Sequence, residues 1–310
     1  MSVNNCRTPF VIVNAFSDDS FGGNPAVIVF LPQSSQTSID ISSSALQKIA
    51  HSFNQPIVVF VAPPSPDADD GILNVRFFTP ELEAPLCGHG LLAATKAICD
   101  GYMPGQKHIK DILKFRNMNG TVLSAGILLN GAGAATQGEW FELELQDNVV
   151  EEVSPDEKQR LTQIVGKALG KSDVVVKFIG QGVGALDRYV LIVLDEKETL
   201  DGAKVDTEAL KGTFPRVVNI LTRATPNSDT VFVSRMFAPL AGLPEDPVCG
   251  TAHCLLTPYW STKTHQEGQD LRVKQVSPRG GDLLVRWEKE RGIVKLRGKA
   301  IVTTSGNLHL

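Results

Sequence analysis

Val75-Arg76-Phe77-Phe78-Thr79-Pro80 leads, nine residues after Phe78, to Cys87-Gly88-His89-Gly90. The same succession returns as Ser234-Arg235-Met236-Phe237-Ala238-Pro239 followed by Cys249-Gly250-Thr251-Ala252. Arg, Phe and Pro recur in step, and the two Cys-Gly pairs stand 162 residues apart. The second Phe-to-Cys interval is 12, so a short loop insertion separates the copies. Each Cys-Gly pair reads as the opening of a helix, the first running from Leu91 to Ile98 and the second ending near Trp260. Upstream, Ser43 to Phe53 reads as a helix before the apolar strand Ile57 to Ala62, and Pro155 to Leu169 as a helix before a strand from Asp173 to Ile179. The order helix, strand, R-x-F-x-P strand, Cys-Gly helix therefore occurs twice. This is duplication of a half, not a short-period solenoid.

The two Cys-Gly sites carry the chemistry. A helix start exposes backbone N–H groups and partial positive charge, which attract carboxylates and lower the pKa of a thiol. Two such ends facing each other would hold one small anion with an acid–base group on either side. That arrangement suits moving a proton on a small carboxylate. Cys87 and Cys249 are the candidate groups, and a small buried thiol at a tight turn is the plainer alternative for each. Gly88, Gly90, Gly250 and Thr251 would offer N–H donors to the anion or simply cap their helices. Asp246 before Pro247 also fits an ordinary turn. His253 reads as structural, and Cys6, Cys99 and Cys254 as non-catalytic thiols.

Composition narrows the classes. A chain of 310 residues suits two domains of about 150 each. Net charge is −4 and basic residues are scattered, which argues against nucleic-acid binding. No apolar run reaches membrane-spanning length, and the N-terminus lacks the pattern of a signal peptide. Five cysteines without metal-like spacing predict free thiols in a reducing cytoplasm. There is neither G-x-G-x-x-G after the first strand nor G-x-x-x-x-G-K-[ST], and no cofactor or metal is expected. Short apolar strands dominate, with about four helices that do not alternate with them. The expected class is α+β with largely antiparallel sheets. Gly131 to Gln137, small and glycine-rich, reads as a domain boundary.

Several separate motifs carry a resemblance. Val13-Asn14-Ala15-Phe16 with Phe21-Gly22-Gly23-Asn24-Pro25-Ala26 is similar to a "DAF…F-x-GNPA" pattern. Phe78-Thr79-Pro80 with Leu86-Cys87-Gly88-His89 is similar to "FTP…LCGHA". Asp187-Arg188 is similar to an internal "DR". Glu245 to His253 is similar to "EDPVTGSAH", and Ser277 to Leu283 to a late "RGG" return. Together they span nearly the whole chain and resemble the PhzF-like (phenazine biosynthesis protein-like) family, which shares its fold with diaminopimelate epimerase and proline racemase. The resemblance implies two similar halves, each a barrel-like, mostly antiparallel sheet around a central helix, with the active site between them. The halves would be residues 1–130, completed by 298–310, and residues 131–297. It also implies a cofactor-independent isomerase or epimerase of a small carboxylate metabolite, expected as a homodimer. Site roles then fall to His89 and Asp246, as proton carriers or carboxylate partners, and to Asn24 as a polar contact with the substrate.

Two positions depart from the pattern. With Asn54 and Phe60 in register, Ile57 stands where the family's usual catalytic Glu belongs in "N-x-S-E-T-x-F". An isoleucine carries no proton. Cys249 stands where the family usually has Thr, and Cys before Gly in both loops is the pattern of two-cysteine racemases of the same fold. The alternative expectation is a non-catalytic relative that binds a ligand or a protein.

Overall fold

The computed structural model describes residues 7–32, 41–64, 70–105, 112–128 and 139–309. Cys6, the Ser-rich stretch at 33–40 and the expected boundary at 131–137 lie outside those residues. The chain forms two compact units, one running to Leu143 and resuming at Arg297, the other from Glu144 to Leu296.

In the first unit, β1 (Arg7–Ala15) pairs antiparallel with β2 (Asn24–Phe30) and with the chain's last strand, Ala300–His309. Helix α1 (Ser43–Phe53) begins where the Ser42 hydroxyl accepts the Ala45 N–H, and stops where Asn54 turns left-handed at φ 49°. It connects β2 to β3 (Ile57–Ala62), which runs parallel to β2. β4 (Leu73–Phe78) returns antiparallel to β3, followed by the two-residue β5 (Glu83–Ala84). Then come α2 (Gly88–Cys99), β6 (Ile112–Arg116), β7 (Val122–Leu128) and β8 (Trp140–Gln146). Ten of the twelve α2 residues are buried. A helix apolar on every face belongs inside, and α2 packs against β1, β2, β3, β7 and the last strand. Leu46 and Ala50 of α1 cover the other face of the sheet at Val27, Val29, Val58, Phe60 and Phe78.

The second unit continues with β9 (Val150–Glu152), α3 (Pro155–Leu169), β10 (Val176–Gly182), β11 (Tyr189–Leu194), β12 (Val218–Ala224), β13 (Phe232–Ala238) and β14 (Leu243–Asp246). It closes with α4 (His253–Lys263), β15 (Leu271–Gln275), β16 (Gly281–Glu288) and β17 (Ile293–Gly298). α4 is its buried central helix. Pro258 inside α4 removes the N–H that would bond the Cys254 carbonyl, and the Asn148 N–H takes that carbonyl instead at 3.0 Å. The outer core joins Leu161, Val165 and Ala168 of α3 to Val190, Ile192, Leu221 and Phe237. Most strand pairs are antiparallel, and the architecture is α+β.

The repeat holds, with one correction to its order. β12 runs parallel to β11 and antiparallel to β13, as β3 does to β2 and β4. The counterpart of β3 is therefore β12, not the strand after α3. α1 lies between its parallel strands, whereas α3 precedes β10, and only a short 3-10 turn, Ala209–Thr213, lies between β11 and β12. Both helices nevertheless cover the same face of their sheets.

The R-x-F motif repeats at the level of side chains. Arg76 grips Glu83 with two bonds of 2.7 and 2.6 Å while its guanidinium lies 5.0 Å over Phe78. Arg235 grips Glu245 with two bonds of 2.7 Å and lies 5.1 Å over Phe237. Each Glu stands four residues before its cysteine. The insertion therefore falls between Arg and Glu, at the turn Pro239–Ala241.

Candidate active site

In the first unit the structure brings Asn24, Cys87 and His89 together. The Gly-Gly-Asn-Pro motif forms a turn in which Gly23 adopts φ +68°, and a Cβ there would lie 2.3 Å from the Ala15 carbonyl oxygen. That turn delivers the fully buried Asn24 at the start of β2. Cys87 is the residue before α2, and its carbonyl accepts the first helical bond from Leu91 at 2.9 Å. The His89 ring, in the first turn, has Nδ1 3.2 Å from Asn24 Nδ2 and 3.3 Å from Cys87 Sγ. The Asn24 amide and the Cys87 thiol therefore meet the same ring nitrogen. Burial pushes the His89 pKa down to about 3, so the imidazole is neutral at physiological pH. The N–H groups of Gly88, His89 and Gly90 precede the first helical bond, as at any helix start.

Ile57 sits against this group. It is 2% exposed, and a Cβ built on Gly90 would meet Val59 at 2.9 Å, Ile57 at 3.3 Å and Cys87 Sγ at 3.4 Å. An apolar wall thus stands beside the thiol at the position where the sequence pattern calls for a carboxylate.

In the second unit Asp246 and Cys249 are both buried, at 7% and 6% exposure, in one loop. Regular helix starts later than the sequence pattern predicts. Gly250, Thr251 and Ala252 form a turn, with His253 bonding back to Gly250 and Cys254 to Thr251, and α4 begins at His253. Three side chains hold this loop: Gln275, which no motif singled out, Ser277 at the head of the RGG return, and His253, which reads as structural from sequence. Gln275 bonds both Asp246 and Cys249, Ser277 bonds the Pro247 carbonyl at 2.7 Å, and His253 bonds the Cys249 carbonyl. Tyr189 is a further residue not picked out from sequence. Burial first, then the neighbouring Cys249, Cys254 and Asp246, push its phenol pKa up, so it stays protonated. The position of Tyr189 beside Asp187-Arg188 was the only available hint.

Two other thiols are described, Cys99 and Cys254. Burial, aided by nearby carboxylates, pushes both Cys99 and Cys254 up to about 12, which keeps them protonated and inert. Among the described residues no cluster of His, Cys, Asp or Glu is arranged to hold a metal ion, and no helix is long and apolar enough to cross a membrane.

Comparison with known proteins places these features in a family. A family model described as phenazine biosynthesis-like protein, PhzC-PhzF, matches residues 13–306. An uncharacterized isomerase of Pseudomonas aeruginosa is 31% identical over 299 residues, 96% of this chain and 97% of the relative. The crystal structure of a PhzF-family phenazine biosynthesis protein from Enterococcus faecalis superposes with a TM-score of 0.78 at 28% identity, covering 98% of this chain and 100% of that one. A probable proline racemase from Agrobacterium radiobacter superposes at 0.60 with 11% identity, covering 98% and 93%, a likeness of fold alone. The fold is that of the diaminopimelate epimerase group, and the chain belongs to the phenazine biosynthesis-like, PhzC-PhzF, family.

Proposed function

We propose that this chain is a cofactor-independent isomerase that moves a carbon-bound proton on a small carboxylate. The observation that carries this reading is the Cys87 thiol, 3.3 Å from the ring nitrogen of a buried, neutral imidazole at a helix start. Family membership and the isomerase name of a relative at 31% identity support it. The substrate carboxylate accepts from the N–H groups of a Cys-Gly turn, Gly88–Gly90 in one unit or Gly250–Thr251 in the other. Those donors stabilise the negative charge that develops on the carboxylate as the adjacent carbon loses its proton. In the two-cysteine version one of Cys87 and Cys249 acts as thiolate base and the other as thiol acid, and the outcome is inversion at one carbon. In the other version His89 and Asp246 carry the proton and a double bond migrates.

The test is solvent deuterium exchange into a panel of small carboxylic acids, read by NMR. Wild-type protein is expected to wash label into the carbon next to one carboxylate. Cys87→Ala and Cys249→Ala should each slow exchange by about 10² to 10⁴. Intact exchange in Cys249→Ala would reject the two-cysteine version and leave His89 and Asp246. One observation favours a second reading, a non-catalytic ligand-binding relative: buried Ile57 replaces the family carboxylate beside Cys87. Binding of an acid without any exchange would establish it.

A further inference from the structure

Cys249 is gripped on both sides of its own backbone by side chains. Its N–H donates to Gln275 Oε1 at 2.9 Å, and its carbonyl accepts from His253 Nδ1 at 2.8 Å. Gln275 at the same time donates through Nε2 to the Asp246 carbonyl at 2.6 Å, so one amide spans the loop from Asp246 to Cys249. Neither side chain can reverse without loss. A carbonyl only accepts and a backbone N–H only donates, so the partners fix the Gln275 amide orientation and the His253 tautomer. Both grips are out of water, Gln275 at 1% exposure and His253 at 0%, and the His253 ring is packed against Phe232.

The first unit shows how far this exceeds what the turn requires. Asn117 occupies the place of Gln275, one position beyond the parallel pairing of its strand with the R-x-F strand. It donates to the Pro85 carbonyl at 2.8 Å. No side chain corresponds to His253 there, because the Cys87 carbonyl is already engaged by the Leu91 N–H. At Cys249 the regular helix starts three residues later, and the imidazole takes over the bond that a helical N–H makes at Cys87. With its N–H consumed by Gln275, Cys249 has no backbone donor left for a ligand anion, whereas Gly250 and Thr251 follow it in the turn.

We infer that Gln275 and His253 are positioning residues for Cys249, fixing the thiol's Cα and selecting the Gly250 and Thr251 N–H groups for the substrate anion. This role rests on the proton-transfer reading of Cys249. The experiment uses full-length Gln275→Met and His253→Leu, with His253→Asn as the conservative variant whose amide can still donate to the Cys249 carbonyl. In folded variants, iodoacetamide alkylation of Cys249, followed by peptide mass spectrometry, should accelerate about tenfold as the loop opens, with Cys87 unchanged. Deuterium exchange into the substrate should lose about 10² in kcat, and His253→Asn should recover both. Alkylation and exchange within about twofold of wild type would overturn the inference. Should the variants not fold, amide hydrogen exchange on the wild type decides: Cys249 is expected to be protected relative to Gly250, and equal rates overturn the inference. If wild-type protein exchanges label into no acid, the isomerase reading fails while the alkylation rates still decide the positioning role.

Discussion

Gly90 is the residue on which the Cys87 site turns. Its missing side chain lets α2 approach β3, because a Cβ would stand 2.9 Å from Val59 and 3.4 Å from the Cys87 sulfur. Val59 belongs to a strand in the core and cannot swing away. Gly90→Ala should therefore destabilise the protein by about 1–3 kcal/mol, beyond the small gain in helix propensity, and shift the thiol away from His89. Val59→Ala in the same chain should recover most of that loss, and urea unfolding of the single and double variants measures the coupling. Additive losses would mean that the clash is relieved elsewhere.

Between residues and whole units stand the repeated elements, and their comparison isolates two unequal pairs. Arg235 is 6% exposed and gives further bonds to the Leu200 and Ala203 carbonyls, while Arg76 is more open to water and adds only Ser43. Removing Arg235 leaves a carboxylate and two carbonyls short of donors. Arg235→Met should cost about 3–5 kcal/mol, against about 1 kcal/mol for Arg76→Met, and equal losses would refute the difference in burial as its cause. The second pair is Asn219 and Val58, which oppose Phe237 and Phe78 at matching register. Asn219 is fully buried, and neither polar atom of its side chain has a partner. Asn219→Val should raise stability by about 1–3 kcal/mol, read from the urea midpoint. These elements also mark where the sequence was legible. Arg76 and Arg235 announced the repeat because a cation over an aromatic ring and a bidentate carboxylate demand particular residue types. The equivalence of β3 with β12 was hidden, since α3 has the same amphipathic pattern as α1 and periodicity says nothing of chain order. Asn24, Cys87 and His89 could be picked out by motif and His253 read as structural, but its partner and the part played by Gln275 could not be named, because a backbone partner leaves no trace in sequence.

Across the whole molecule, each unit buries one imidazole near its Cys-Gly turn, and this couples stability to pH. Burial holds His89 down to about 3, and His253 to about 4 despite its bond to the Cys249 carbonyl. Both folded values lie below the ordinary value of 6.5, so the neutral ring is favoured in the folded state. At pH 7 neither state binds the proton and the folded form has its full stability. Below about pH 6.5 the unfolded chain takes up protons that the folded units refuse, and stability falls until the folded pKa values are reached. Each imidazole contributes a slope of about 1.4 kcal/mol per pH unit in that window. Urea unfolding between pH 7 and 4.5 should therefore show a steep loss of stability, before most carboxylates titrate. His89→Gln should remove about half of the slope while leaving the contribution of His253 in the other unit. A flat profile from pH 6.5 to 4.5 in the wild type would mean that the two rings reach water and are not held neutral by burial.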